Sequence, residues 1–278
     1  MSEASGEKGE RIAKVMARAG LCSRRDAERW IRDGRVKVHG QVIDTPATLI
    51  TDPTAVEVDG KALSAPQEAR LYRYHKPPGL VTSHKDDQGR PTVFDNLPAG
   101  IGRVVSVGRL DLNSEGLLLL TNDGGLAREL ELPSNGWTRT YRVRVFGHVT
   151  EDMLAGLKDG AEVDGVKYAS IDARIEKKTG RNAWLIVSLT EGKNREIRRV
   201  MEHLGLQVNR LVRTHYGPFR LDGLERGDVA QVPRRQMIDQ LGGKLDSAAA
   251  PPKTSKKGWA KAKSKPKPHK KAPRKTKS

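Results

Sequence analysis

Asp111 is an acidic residue in a setting that could support nucleophilic chemistry. It follows Arg109 and Leu110 in the segment GRLD, directly after the β-branched run of residues 104–107. In an extended chain, residues two apart point to the same side, so Arg109 and Asp111 would share one face while Leu110 faces the core. A nearby cation keeps a carboxylate ionised, as a nucleophile or a base must be. An Asp–Arg pair that only pins a turn has the same local pattern, which therefore leaves both interpretations open.

Two flanking elements must position this carboxylate. The run at residues 104–107 predicts a strand that leads into it, and the turn-rich segment LNSEG follows. The apolar segment LLLLTND, residues 117–123, then predicts a strand that is buried on both faces. We therefore expect Asp111 just before the beginning of a strand in the core.

The surrounding region, residues 70–241, is dominated by strand patterns. Six segments have them: LYRYHKP, GRVVSVGRL, GLLLLTND, TYRVRVFG, AWLIVSLT and GDVAQVP. Helical patterns occur in a few segments such as GLAREL, TEDMLAGLKDG and NREIRRVMEHLG. Strand runs with scattered helices predict an α+β domain around a mostly antiparallel mixed sheet.

Residues 9–69 predict a separate, compact unit of two helices and two hairpins. Apolar residues at helical spacing in ERIAKVMARAG and RRDAERWIRDG indicate the helices, and His39-Gly40 and Asp59-Gly60 mark the hairpin turns. Cations crowd the helices, which is typical of a surface that contacts RNA phosphates, although a solvated helix face also carries cations. The candidate RNA-binding residues are Lys14, Arg18, Arg24, Arg25 and Arg29.

The net charge of +17 points to a polyanionic partner, with nucleic acid ahead of an anionic membrane surface. Residues 253–278 contain 12 Lys or Arg and no acid, so most of this charge lies near one end of the sequence. Residues 242–278 lack apolar periodicity and are rich in Lys, Pro and Ser, so we expect a disordered basic tail. A single cysteine and no long apolar stretch favour a cytoplasmic protein without membrane contact.

No metal or cofactor site is expected from the sequence. The seven histidines are scattered, without paired ligand spacing or cysteine partners. Neither a P-loop nor a dinucleotide-binding fingerprint is present in the sequence.

Several segments resemble, in order, bacterial ribosomal RNA pseudouridine synthases of the RsuA/RluB family. GRLDLNSEGLLLLTNDG is similar to the active-site motif, and YHKPPGLVTSHKDDQGRPTVFDNLP to the strand and loop before it. RTYRVRVFG and LTEGKNREIRRVMEHLG resemble two later motifs that complete the site. The segment MARAGLCSRRDAERWIRDGRVKVHGQ resembles the αL RNA-binding fold first seen in a small-subunit ribosomal protein. The resemblance spans residues 11–233 and is nearest to the RluB branch, which modifies large-subunit rRNA.

The resemblance implies a role for individual residues. Asp111 matches the catalytic aspartate, Tyr141 the tyrosine that stacks on the target uracil, and Arg198 the basic residue that pairs with the aspartate. For Arg109, which flanks the aspartate, we expect contact with a substrate phosphate or with Asp111. Without the resemblance, Tyr141 would be read as a core tyrosine and Arg198 as a solvated helix cation.

The implied protein is an α+β isomerase with an αL-type domain (residues 9–69), a catalytic domain (residues 70–241) and the tail (residues 242–278). It would convert a specific uridine of 23S rRNA to pseudouridine without a cofactor, as a monomer acting during ribosome biogenesis on free rRNA or an assembly intermediate. A non-catalytic RNA-binding assembly factor and a small-subunit rRNA pseudouridine synthase remain as alternatives. Whether the aspartate attacks C1′ or removes the C2′ proton also stays open.

The tail is expected to add sequence-independent affinity for RNA. Each neutralised phosphate of single-stranded RNA contributes about −0.7 to the slope of log affinity against log salt. If half of the 12 cations engage, truncation to residues 1–250 should flatten that slope by roughly 4 units, without changing the modified site. Binding of both proteins across a salt series measures this. An unchanged slope would reject the electrostatic role.

Overall fold

The computed structural model describes residues 9–65 and 67–242. Its first unit contains helices α1 (Ile12–Arg18) and α2 (Arg24–Arg32). Ser23 caps the start of α2, because its hydroxyl accepts a hydrogen bond from the Asp26 amide at 3.0 Å. The apolar faces of the two helices meet in one core, which contains Ile12, Val15, Met16, Ala27 and Ile31.

Short strands complete this unit. They are β1 (Glu10–Arg11), β2 (Val36–Val38), β3 (Gln41–Val42), β4 (Leu49–Ile50), β5 (Val56–Val58) and β6 (Lys61–Ala62). Strands β1 and β4 pair, and the other four form a sheet in the order β3-β2-β5-β6. His39-Gly40 and Asp59-Gly60 have positive φ angles of 50° to 78°, which two-residue hairpin turns of the mirror-image type require. Both predicted hairpins are confirmed.

The second unit is built on a nine-stranded sheet. Its first four strands are β7 (Leu71–Lys76), β8 (Val105–Val107), β9 (Glu115–Thr121) and β10 (Arg139–Phe146). A separate hairpin of β11 (Ala161–Val163) and β12 (Val166–Tyr168) follows in the chain. The other five strands of the large sheet are β13 (Ile171–Thr179), β14 (Asn182–Leu189), β15 (Gln207–Tyr216), β16 (Phe219–Arg220) and β17 (Val229–Gln231). The order is β13-β14-β10-β15-β9-β7-β17, with β8 also on β9 and β16 also on β15. Every pairing is antiparallel except that of β15 with β9. The predicted α+β, mostly antiparallel architecture is confirmed.

Four helices cover this sheet: α3 (Gly124–Glu131), α4 (Glu151–Ala155), α5 (Glu196–His203) and α6 (Arg234–Leu241). Helices α4 and α5 pack on the β13-β14-β10-β15 half through one apolar core. Strand β9 divides two further cores, since Leu117 and Leu119 face α3 and α6 while Leu118 and Leu120 pack against Tyr72 and Tyr74 of β7 and against the loop before β8. The prediction that this strand is buried on both faces is confirmed.

Two expectations need correction. Strand β8 ends at Val107, and Gly108 has a φ of +66°, so the chain does not run extended into Asp111. Leu110 is nevertheless buried and Arg109 exposed, as the alternation predicted. Sequence patterns also missed strands β13 and β15, the β11–β12 hairpin and helix α6. The predicted tail, beyond Gly242, lies outside the described residues.

None of the helices in the described ranges is long and apolar enough to cross a membrane.

Candidate active site

The loop that carries Asp111 is held in place by side chains from three neighbouring elements. At its start, Glu131 at the end of α3 accepts a hydrogen bond from the Gly108 amide at 2.6 Å. In its middle, the buried Thr82 hydroxyl donates to the Leu110 carbonyl at 2.8 Å. The Leu110 side chain packs in the core between β7 and β9. These contacts fix the backbone on the N-terminal side of Asp111.

The third contact is a buried ammonium at the end of β7. Lys76 has no exposed surface, and its Nζ donates to the carbonyl oxygens of Pro77, Asp111, Leu112 and Ser114 at 2.9 to 3.4 Å. Burial lowers the pKa of Lys76 to about 8, although the charges of Asp111 and Glu115 act in the opposite direction. Lys76 thus binds the backbone of the loop at Asp111 and on its C-terminal side.

The Asp111 side chain itself remains accessible. It is 34% exposed, and its Oδ2 lies 3.9 Å from Nη1 of Arg195, at the start of α5. Arg195 has a φ of +51°, a conformation that costs a residue other than glycine about 1–2 kcal/mol. Strained backbone of this kind is common at functional sites.

The ion pair expected between Asp111 and Arg198 is instead made by Arg195. Arg198 donates to the carbonyl oxygens of Asn113 at 3.1 Å and Val208 at 3.4 Å. It therefore supports the backbone of the loop two residues beyond the carboxylate. The reason is the left-handed turn at Arg195, which begins α5 beside Asp111 and leaves Arg198 one turn further along the helix. A contact between Arg198 and substrate stays a prediction.

Tyr141 lines the same cleft, which has a volume of about 580 Å³. It lies on β10 opposite Val187 of β14 and Arg213 of β15, with its side chain half-buried. Alternate residues of the strand follow the expected pattern, since Val143 is buried while Arg142 and Arg144 are exposed on the other face. Tyr141 touches two of the apolar cores and still presents surface to the cleft, so it is not a simple core residue.

Arg109 also lines the cleft and is exposed. Among the described residues it makes no ion pair with Asp111, and its contact with a substrate phosphate stays a prediction.

The five candidate RNA-binding cations of the first unit differ in availability. Arg24, Arg25 and Arg29 are exposed, although Arg29 pairs with Asp26. Lys14 and Arg18 both bind Glu10. Arg18 is only 12% exposed and also lies 3.4 Å from Asp123, the residue that caps α3 in the second unit. Arg18 thus ties the two units together and is the least available of the five.

Sequence reasoning missed Lys76 and Glu131, which bind the backbone of the loop, and Arg195, which contacts its carboxylate. For Lys76 the sequence offered one signal, its position at the end of a predicted strand directly before Pro77-Pro78. Glu131 and Arg195 gave none, since each acts through a tertiary contact. In the ranges that the structure describes, no group of three or more His, Cys, Asp or Glu could hold a metal ion.

Comparison with known proteins gives two matches to family models. Residues 70–203 match the RNA pseudouridylate synthase model, and residues 10–53 match the S4 domain model. An RNA pseudouridine synthase of Rickettsia bellii is 49% identical over 226 residues, covering 81% of this chain and 98% of the relative. The ribosomal large subunit pseudouridine synthase B of Yersinia pestis is 43% identical, covering 81% of this chain and 73% of the relative.

A solved structure shares the fold. The crystal structure of a pseudouridylate synthase matches with a TM-score of 0.58 and 26% identity, and the match covers 83% of this chain and 99% of that one. The cleft described above therefore lies in a fold that this chain shares with that synthase.

Proposed function

The chain belongs to the RNA pseudouridylate synthase family, and from that premise we propose that it converts a specific uridine of large-subunit ribosomal RNA to pseudouridine with Asp111 as the catalytic carboxylate. The observation that carries this proposal is the placement of Asp111. The Asp111 carbonyl oxygen accepts a hydrogen bond from the buried Lys76, while the Asp111 side chain reaches an open cleft beside Arg195 and Tyr141. A turn carboxylate with only a structural role would not need a partly exposed side chain on a loop fixed at so many points.

The reaction requires one carboxylate and a site that keeps the detached uracil bound. The N1–C1′ bond of the uridine breaks and its electron pair leaves with the uracil. Asp111 then either holds C1′ as an ester or has taken the C2′ proton, and both routes need its ionised form. After the base turns, C5 bonds to C1′ while the C1′–O ester bond breaks or Asp111 returns the proton to C2′. The proton on C5 is then lost and N1 gains a proton. Atoms and electrons balance without a co-reactant.

Neighbouring groups suit these steps. Nη1 of Arg195 lies 3.9 Å from Oδ2 of Asp111, so a positive charge faces the carboxylate that reacts. The exposed face of Tyr141 offers a platform on which the detached uracil can stack while it turns. The target must leave its RNA stack to enter the cleft, which costs a few kcal/mol unless the RNA is already looped.

Relatives support the choice of RNA. The proteins of Yersinia pestis and Salmonella typhimurium that are 43% and 42% identical are named ribosomal large subunit pseudouridine synthase B. The exposed cations Arg24, Arg25 and Arg29 would bind phosphates of the same RNA. We place the reaction in the cytoplasm, with the protein as a monomer on 23S rRNA or an assembly intermediate.

Asp111→Asn should abolish pseudouridine formation because an amide can act neither as nucleophile nor as base. Purified protein would be incubated with unmodified 23S or 16S rRNA transcripts, and pseudouridine quantified by nucleoside mass spectrometry. We expect product on the 23S transcript with the wild type and with Asp222→Asn, a matched change at an exposed carboxylate. Activity of Asp111→Asn within tenfold of wild type would contradict the role of Asp111. Product on 16S rRNA alone would favour the small-subunit alternative.

Substitutions at Tyr141 separate stacking from packing. Tyr141→Phe keeps the ring and should retain most of the activity. Tyr141→Ala should weaken base binding by ~1–3 kcal/mol, the usual contribution of one base–aromatic stack, while the protein still folds. The measurements are single-turnover rates against RNA concentration and a melting curve of each variant. A Tyr141→Ala protein that has lost its fold would identify Tyr141 as a core residue.

A further inference from the structure

A second buried cation lies in the cleft, and nothing described so far explains it. Arg213 of β15 lines the cleft and is only 3% exposed. Its Nε donates to the Leu117 carbonyl at 2.7 Å, but its buried Nη2 has no hydrogen-bond partner among the described residues. No carboxylate in the described ranges lies within ion-pair distance of it. Buried charges are normally paired, because burial of a charge without a partner is energetically costly.

The sheet holds this guanidinium in a fixed position. Strand β15 pairs in parallel with β9 at Gly116 and Arg213. Gly116 has a φ of +104°, and a Cβ there would lie 2.7 Å from the backbone nitrogen of Arg213, so only glycine allows the two strands to approach this closely. The close approach lets the Arg213 side chain reach Leu117, on the strand that begins directly after the loop of Asp111. The Tyr216 ring supports the guanidinium from one side, with its centroid 5.1 Å from Cζ.

The unpaired guanidinium lies beside the stacking platform. Arg213 is the cross-strand partner of Tyr141, and directly opposed residues of neighbouring strands present their side chains on the same face, with Cβ atoms about 5 Å apart. Asp111, Tyr141 and Arg213 therefore surround one cavity. A base stacked on Tyr141 would have its edge next to Arg213.

We propose that Arg213 is a further catalytic residue, whose Nη2 donates to a carbonyl oxygen of the target uracil and stabilises the negative charge that the base acquires when the N1–C1′ bond breaks. The electron pair of that bond enters the ring and is shared by N1 and the two carbonyl oxygens. A guanidinium stays protonated throughout, so it supplies a fixed positive charge where charge develops. This role rests on the proposed function and adds to it a residue that binds the leaving group rather than the sugar.

A structural role makes a different prediction. If Arg213 only tied β15 to β9 through Leu117, its loss would impair the reaction equally whatever the leaving ability of the base. If it stabilises the uracil anion, its loss should matter less for a base that carries negative charge more easily. The fluorine of 5-fluorouracil withdraws electrons and makes it such a base.

The experiment uses the full chain and a ribosomal RNA fragment with either uridine or 5-fluorouridine at the modified position. Single-turnover disappearance of that nucleoside is followed by mass spectrometry at saturating RNA for the wild type, Arg213→Gln and Arg213→Lys. Arg144→Gln, which removes one exposed cation from the opposite face of the sheet, is the matched control. We expect Arg213→Gln to slow the uridine reaction about 10²–10³-fold, the usual effect of removing one charge-stabilising donor. The loss on 5-fluorouridine should be at least tenfold smaller, and Arg213→Lys should show the same bias with a smaller loss.

Equal losses on the two RNAs, or no loss on uridine, would overturn the proposal. If Arg213→Gln does not fold, the comparison rests on Arg213→Lys, which keeps the charge and the chain length near those of the native residue. A wild-type protein inactive on both RNAs would instead contradict the proposed function, so the two failures are distinguishable.

Discussion

The site depends on one buried ammonium. Lys76 is enclosed at the end of β7, and its three N–H groups are shared among four carbonyl oxygens of the polypeptide around Asp111. A cation in such a place is tolerated only because these oxygens and the nearby carboxylates of Asp111 and Glu115 offset the loss of hydration. As a result, the backbone carbonyls of the loop point inward to the ammonium, and the carboxylate of Asp111 points to the cleft.

The parallel pairing of β15 with β9 supplies the second constraint. It inserts β15 between β10, which carries Tyr141, and β9, which follows the loop of Asp111. Residues far apart in the sequence are thereby brought around a single cavity. Gly116 permits the two backbones to approach closely beside that cavity. Charged groups that are held in place before the reaction reduce the reorganisation that it would otherwise require.

Much of this could be predicted from the sequence, and the remainder could not for physical reasons. The strand LLLLTND was predictable because both of its faces are covered, which leaves an uninterrupted apolar run. Strand β15, with the sequence QVNRLVRTHY, was not, because its polar residues satisfy tertiary contacts and two register shifts against β10 disturb its alternation. Asp111 and Tyr141 were found through motifs. The exchange of Arg198 for Arg195 depended on a left-handed turn that helical periodicity does not reveal.

If this cleft isomerises one uridine of ribosomal RNA, the pseudouridine content of the cell's rRNA depends on the protein. Pseudouridines can be mapped across the rRNA of cells that lack the protein, with and without restoration of the wild-type gene. We expect pseudouridine to disappear from one position of the large-subunit rRNA and to return on restoration. An unchanged map would contradict this expectation and favour a protein that binds ribosomal RNA without modifying it.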